Sequence, residues 1–220
     1  MIVLPWKPFR ISLSSELMLC LVFVMGIFLP ALTQDLPDDP YERGLVLLKQ
    51  FKYGEAKASF DQALSKDPNH VNAFYQRGRA LVALEQIDAA LADFDRAVQI
   101  NAEFAPGYVG KAMVAIARKD FGTAMAQIDK AQSLEPENAE AFYQKGIVLG
   151  YQNNIDGAIN SLKRCLEIQP DHAYAHYQIG LAYNQIRRID LAIEHLDKFL
   201  HLAPEAPEAD QARRLLSNLR

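Results

Sequence analysis

Residues 71–104 read VNAFYQRGRALVALEQIDAALADFDRAVQINAEF. The pattern returns as AFYQKGIVLGYQNNIDGAINSLKRCLEIQP at 141–170 and as AHYQIGLAYNQIRRIDLAIEHLDKFLHLAP at 175–204. The later copies are offset by 34 residues with no gap, and a fixed period of that kind marks a repeat architecture. Four columns hold the register. Gly44, Gly78, Gly146 and Gly180 form one, with Ala112 in the third place. Ala56, Ala90, Ala124, Ala158 and Ala192 form the second without exception. Pro68, Pro136, Pro170 and Pro204 form the third, with Ala102 in the gap, and Tyr53, Ile87, Phe121, Ile155 and Ile189 the fourth.

Within a unit the apolar spacing is helical: Phe74, Gly78 and Leu81 fall at i, i+4, i+7, as do Ala90, Phe94 and Ala97. Each unit therefore reads as two helices of about a dozen residues joined by a tight turn. The Gly and Ala columns let the two helices approach closely. The Pro column ends each second helix, because proline lacks an N–H and disfavours helical geometry in the residue before it. One such hairpin cannot bury its apolar face alone, so neighbours must stack.

These columns resemble the tetratricopeptide repeat family. The resemblance implies an all-α, right-handed solenoid of helical hairpins with units at 37–70, 71–104, 105–138, 139–172 and 173–206. Departures are local: Pro40 and His176 replace the aromatic near the start of the first helix, and the third unit has Pro106 in its first helical turn, where proline is tolerated. From 207 to 220 the glycine column is lost to Arg214, while Ala212, Leu215, Leu216 and Leu219 keep a helical stripe; this reads as a capping helix.

The formal net charge of −4, with no basic stripe, argues against nucleic acid. At the N-terminus Lys7 and Arg10 precede the apolar run LMLCLVFVMGIFL at 17–29, within the length of a signal-peptide core and short for a bilayer span. Residues 1–33 are therefore expected to be a signal peptide ending near Ala31 and Thr33, or an anchor over 11–32. The chain is expected to be exported, periplasmic or secreted if the segment is cleaved, membrane-held if not. The mature chain then keeps only Cys165, on the small column of Ala63, Ala97 and Ala131, which reads as a buried apolar group rather than a reactive thiol.

The sequence holds no nucleophile elbow, HExxH, glycine-rich phosphate loop or paired-cysteine motif, so no catalytic, cofactor or metal residue is assigned and no enzyme is expected. His172 and His176 are four apart and His195 and His201 lie on the next helix, but the first two are not expected to share a face. Arg43, Arg77, Lys111 and Lys145 recur at the period; their expected role is to pack their stems over neighbouring helices and reach nearby carboxylates.

The resemblance implies that first helices line a concave face that holds a protein or peptide partner. Mapped here, that face is expected to carry Tyr41, Tyr75, Arg79, Val109, Met113, Ile116, Tyr143, Ile147, Tyr177 and Leu181. In the third unit Val109, Gly110, Met113 and Ala117 are expected to make an apolar floor, walled by Tyr75 and Tyr143, for one bulky side chain. The Lys/Asn/Arg set with which some family members clamp a terminal carboxylate is not matched. The expected function is a non-enzymatic scaffold or adaptor of the cell envelope; the alternative is a self-associating structural subunit forming a homo-oligomer.

Overall fold

The computed structural model describes residues 36–220; the segment expected to be a signal peptide or anchor lies outside them. Among the described residues every regular element is an α-helix. They pair as α1 (Pro40–Lys49) with α2 (Tyr53–Lys66), α3 (Val71–Ala83) with α4 (Ile87–Ile100), and α5 (Ala105–Ala117) with α6 (Phe121–Leu134). Next come α7 (Ala139–Tyr151) with α8 (Ile155–Ile168) and α9 (Ala173–Gln185) with α10 (Ile189–Leu202), before α11 (Ala209–Leu219). Each helix packs on the one before and the one after it, giving a helical-hairpin solenoid.

Both kinds of turn repeat, for different reasons. Each first helix ends on a left-handed residue, Phe51, Glu85, Lys119, Asn153 or Arg187, with φ between 58 and 61°. In each, the next amide reaches back to the third-last helical carbonyl, as Gln86 N does to Leu81 O at 2.9 Å. None of the five is glycine, although a left-handed L-residue costs about 1–2 kcal/mol; the packing of the two helices holds the turn. Each second helix ends in extended backbone, φ −130° at Asp67 and −132° at Glu135, as a following proline requires. Asn101 adopts φ −137° before Ala102, so the same turn forms where the proline is missing.

Phe60, Phe94, Ile128, Leu162 and Leu196 form a buried column along the second helices, and the glycine column exists to receive it. A methyl on Gly44 would stand 2.4 Å from the Phe60 ring, on Gly78 2.5 Å from Phe94, on Gly146 2.6 Å from Leu162 and on Gly180 2.8 Å from Leu196. In the third unit Ala112 takes the glycine's place in one cluster with Ile128, and both are fully buried. Phe94 is gripped twice, because a methyl on Gly110 of the following unit would lie 2.3 Å from the same ring.

Two rungs of the basic ladder, Arg77 and Lys111, reach carboxylates as expected. Arg77 in α3 makes a two-point pair with Asp93 in α4 (2.7 and 2.6 Å) and a third bond to Asp61 in α2 (2.6 Å), tying two units together. Lys111 pairs with Asp95 at 2.8 Å, and Arg43 reaches only the neutral Gln62 and Ser59. Cys165 is fully buried, and burial pushes its thiol up to about 12, far from a reactive thiolate.

First helices of successive units touch one another directly, which puts them on the inside of the curve. The curvature is tight enough for the ends to meet. Phe51, in the first unit's turn, packs against the cluster built by Tyr177, Leu196, Phe199 and the capping residues Ala206, Ala212 and Leu216. Tyr53 bonds to Tyr174 across the same junction.

Candidate functional site

Inside the curve lies a cavity of about 410 Å3 whose walls come from four successive units. Arg79 and Val82 enter from α3, Met113, Ile116 and Ala117 from α5, Glu140, Tyr143, Gln144 and Ile147 from α7. His172, Tyr174, Gln178 and Glu208 close the far side. The helical spacing i, i+4, i+7 puts Glu140, Gln144 and Ile147 on one face of α7, and Tyr174, Gln178 and Leu181 repeat the triplet on α9.

Local structure sets the polar side chains. His172 caps α9: its Nδ1 accepts from the Ala175 amide at 3.0 Å, so the proton sits on Nε2 and is donated to Glu140 at 3.2 Å. Gln144 donates to the other Glu140 oxygen at 2.8 Å. Burial raises the Glu140 carboxyl, but the His172 bond and the field of Arg79 outweigh it, so the group stays ionised below the ordinary glutamate value. Tyr174 donates to Glu208 at 2.7 Å, and since its single proton is spent there, Tyr53 is the donor to Tyr174. Burial, then the Glu140 field, pushes Tyr143 well above the usual tyrosine range; burial, then the Glu208 bond, does the same for Tyr174. Both phenols remain neutral.

Of the ten residues expected on the concave face, Arg79, Met113, Ile116, Tyr143 and Ile147 line this cavity. Leu181 lies with Ile147 and Gly150 in an adjoining cleft of about 330 Å3. Tyr41 is half-buried beneath His70, ring centroids 4.6 Å apart, away from the cavity. Three assignments are corrected. Tyr75 is buried between Phe94 (6.0 Å) and Phe104 (5.9 Å), Tyr177 is buried on Phe199 (4.8 Å), and Val109 is fully enclosed. Each lies in the interior rather than on the open face. The apolar floor of the third unit is likewise filled from within. Val109 and Gly110 face the core, and the Phe94 ring occupies the space that Gly110 leaves; Met113 and Ala117 alone reach the cavity.

Glu140, His172, Tyr174, Gln178 and Glu208 were missed from sequence. The i, i+4, i+7 triplets carry the signal for Glu140, Tyr174 and Gln178; nothing local to Glu208 places it opposite Tyr53.

The histidines are arranged otherwise. His172 belongs to the cavity, while His176 and His195 meet on another face with Nδ1 atoms 3.0 Å apart. Among the described residues no group of three or more His, Cys, Asp or Glu side chains could hold a metal ion. His176 Nε2 donates to the Pro170 carbonyl (3.1 Å), so its Nδ1 accepts from His195 Nδ1–H. Burial, then the field of His176, lowers His195 from 6.5 to about 4, with Lys198 and Lys163 adding to the effect and Glu194 opposing it. The folded chain thus refuses a proton that the unfolded chain takes below about pH 6.5, so stability falls as pH drops toward 4. After discounting for partial exposure, about 1 kcal/mol should be lost between pH 7 and pH 5. Urea unfolding of the parent and His195→Gln chains at both pH values checks this; equal pH dependence in the two would refute it.

The family model described as tetratricopeptide repeat matches residues 41–107 and 143–207, more than half of the chain. Among solved structures, the thermophilic tetratricopeptide repeat protein TTC0263 of Thermus thermophilus is 22% identical, with a TM-score of 0.70 over 82% of this chain and 96% of that one. The Cut9–Hcn1 hetero-tetramer of the APC/C gives 18% identity and a TM-score of 0.69 over 82% of this chain but 35% of that one. At these identities the likeness speaks to the fold alone. No curated protein sequence matches significantly. Repeat columns, paired helices and the matching family model agree: the chain belongs to the tetratricopeptide repeat family.

Proposed function

We propose that this chain is a non-enzymatic binding scaffold that takes a segment of a partner protein into its concave cavity, and that it works outside the cytoplasm. The observation that carries the reading is the cavity itself. Side chains of four units converge on about 410 Å3 that no part of the described chain fills, with Met113, Ile116 and Ile147 presenting apolar surface beside fixed carboxylates and phenols. Fold alone names no partner. Met113 is half-buried at the wall, so Met113→Glu should fold with a melting temperature close to the parent's and lose a partner that co-purifies with it. An unfolded Met113→Glu chain would make this position core, and unchanged partner binding would remove the cavity from the function.

The extracytoplasmic reading is supported by Lys7 and Arg10 ahead of the apolar run 17–29. Residues 1–40 fused to a reporter active only outside the cytoplasm should give activity. A silent fusion would place the scaffold inside the cell.

A further inference from the structure

The cavity's polar groups are not balanced among themselves. Two carboxylates line it, Glu140 and Glu208, against one guanidinium, Arg79. Arg79 donates to Gln76 at 3.1 Å and lies over the Tyr75 ring at 5.9 Å, and its field is felt at Glu140. Among the described residues no Lys or Arg stands within ion-pair distance of Glu208, whose Oε2 accepts from Tyr174 alone. Glu208 is half-buried at the N-cap of α11, and a carboxylate with no cation beside it offers a charge for an incoming one to pair with.

Resting on the concave-face reading above, we propose that this end of the cavity binds a basic side chain, lysine or arginine, carried by the partner segment, with Glu208 as its counter-ion and the rings of Tyr143 and Tyr174 beside it. The donors already in place favour that chemistry. Tyr53 gives its proton to Tyr174 and Tyr174 to Glu208, so at this end both hydroxyl protons are committed, leaving the Glu208 carboxylate and the rings; Arg79 is the cavity's remaining strong donor. A cation is the ligand that both groups attract, through charge-assisted bonds to the carboxylate and through the ring quadrupoles. Arg79 offsets Glu140 and steers the incoming charge to the Glu208 end. Met113, Ile116 and Ile147 then receive an apolar neighbour of the basic residue, so the partner segment carries the two side by side.

The seat also adjoins the junction of the two ends. Glu208 and Tyr174 come from the last unit and cap, and Tyr53 of the first unit bonds to Tyr174 beside them, where Phe51 packs on the same junction.

The test uses the full-length chain with isotope-labelled Met and Ile methyl groups, titrated with n-butylguanidinium, n-butylammonium, n-butyramide and n-butyrate. The two cations should shift the Met113 and Ile147 methyls and bind about tenfold more tightly than the amide, one unit of charge interaction. Glu208→Gln keeps an acceptor for Tyr174 and should abolish that preference while leaving the spectrum folded. Cation shifts unaltered by Glu208→Gln, a preference for butyrate, or no shift with any probe would each overturn the cation seat. Met113→Glu still decides the concave reading separately, since it asks only whether the natural partner is lost.

Discussion

A chain carrying Phe94→Ala should lose about 3–5 kcal/mol, the cost of deleting a large buried ring whose surroundings relax only in part. Phe94 is fully buried and sits between the glycines of two units. Gly110→Leu attacks the same contact from the other side: its first side-chain carbon would stand 2.3 Å from the ring, an overpacking worth about 1–3 kcal/mol or more. Each change fills or empties the space the other depends on, so the double variant should be more stable than the sum of the two losses implies. Chemical denaturation of the four chains measures the coupling. Hydrogen exchange should localise the damage to α3, α4 and α5, because units in a solenoid touch only their neighbours. Strict additivity would mean that Phe94 and Gly110 do not share the contact described here.

Arg77→Met should be the second large loss, about 2–4 kcal/mol. It leaves Asp93, 6% exposed, as a buried carboxylate without its two-point partner, and leaves Asp61 with Lys57 alone. The same change one unit earlier, Arg43→Met, should cost less than about 1 kcal/mol, because Arg43 bonds only to uncharged Gln62 and Ser59. Adding Asp93→Asn to Arg77→Met should restore part of the loss by removing the stranded charge. Denaturation midpoints of the parent and the three variants decide it. Equal costs at Arg43 and Arg77 would show that stem packing, not charge pairing, carries this ladder.

The repeat was legible because it is local chemistry written five times. The 34-residue offset, the small columns and the helical spacing of Phe74, Gly78 and Leu81 are properties of neighbouring residues, and neighbouring residues suffice to set helices and turns. Even so, the partner of the glycine column was hidden. That Gly78 and Gly110 both serve Phe94 follows from how far one ring reaches across two helices, which spacing cannot state. The tyrosine column misled for a related reason. A tyrosine at the same place in each unit meets a different residue at the start of the next, so Tyr75 is sealed by Phe104 while Tyr143, beside His172, still reaches the cavity.

The linear chain thus determines that it forms stacked helical hairpins, which columns they bury and which family it belongs to, since each of these is decided within one unit and its neighbour. Where the curve closes is decided by tertiary structure alone. Small rotations accumulate over five units until Phe51 meets the cluster that contains Phe199 and Tyr53 meets Tyr174. That sum brings Glu208, which lines the negatively biased cavity, opposite Tyr53 of the first unit, although no single repeat contains the information.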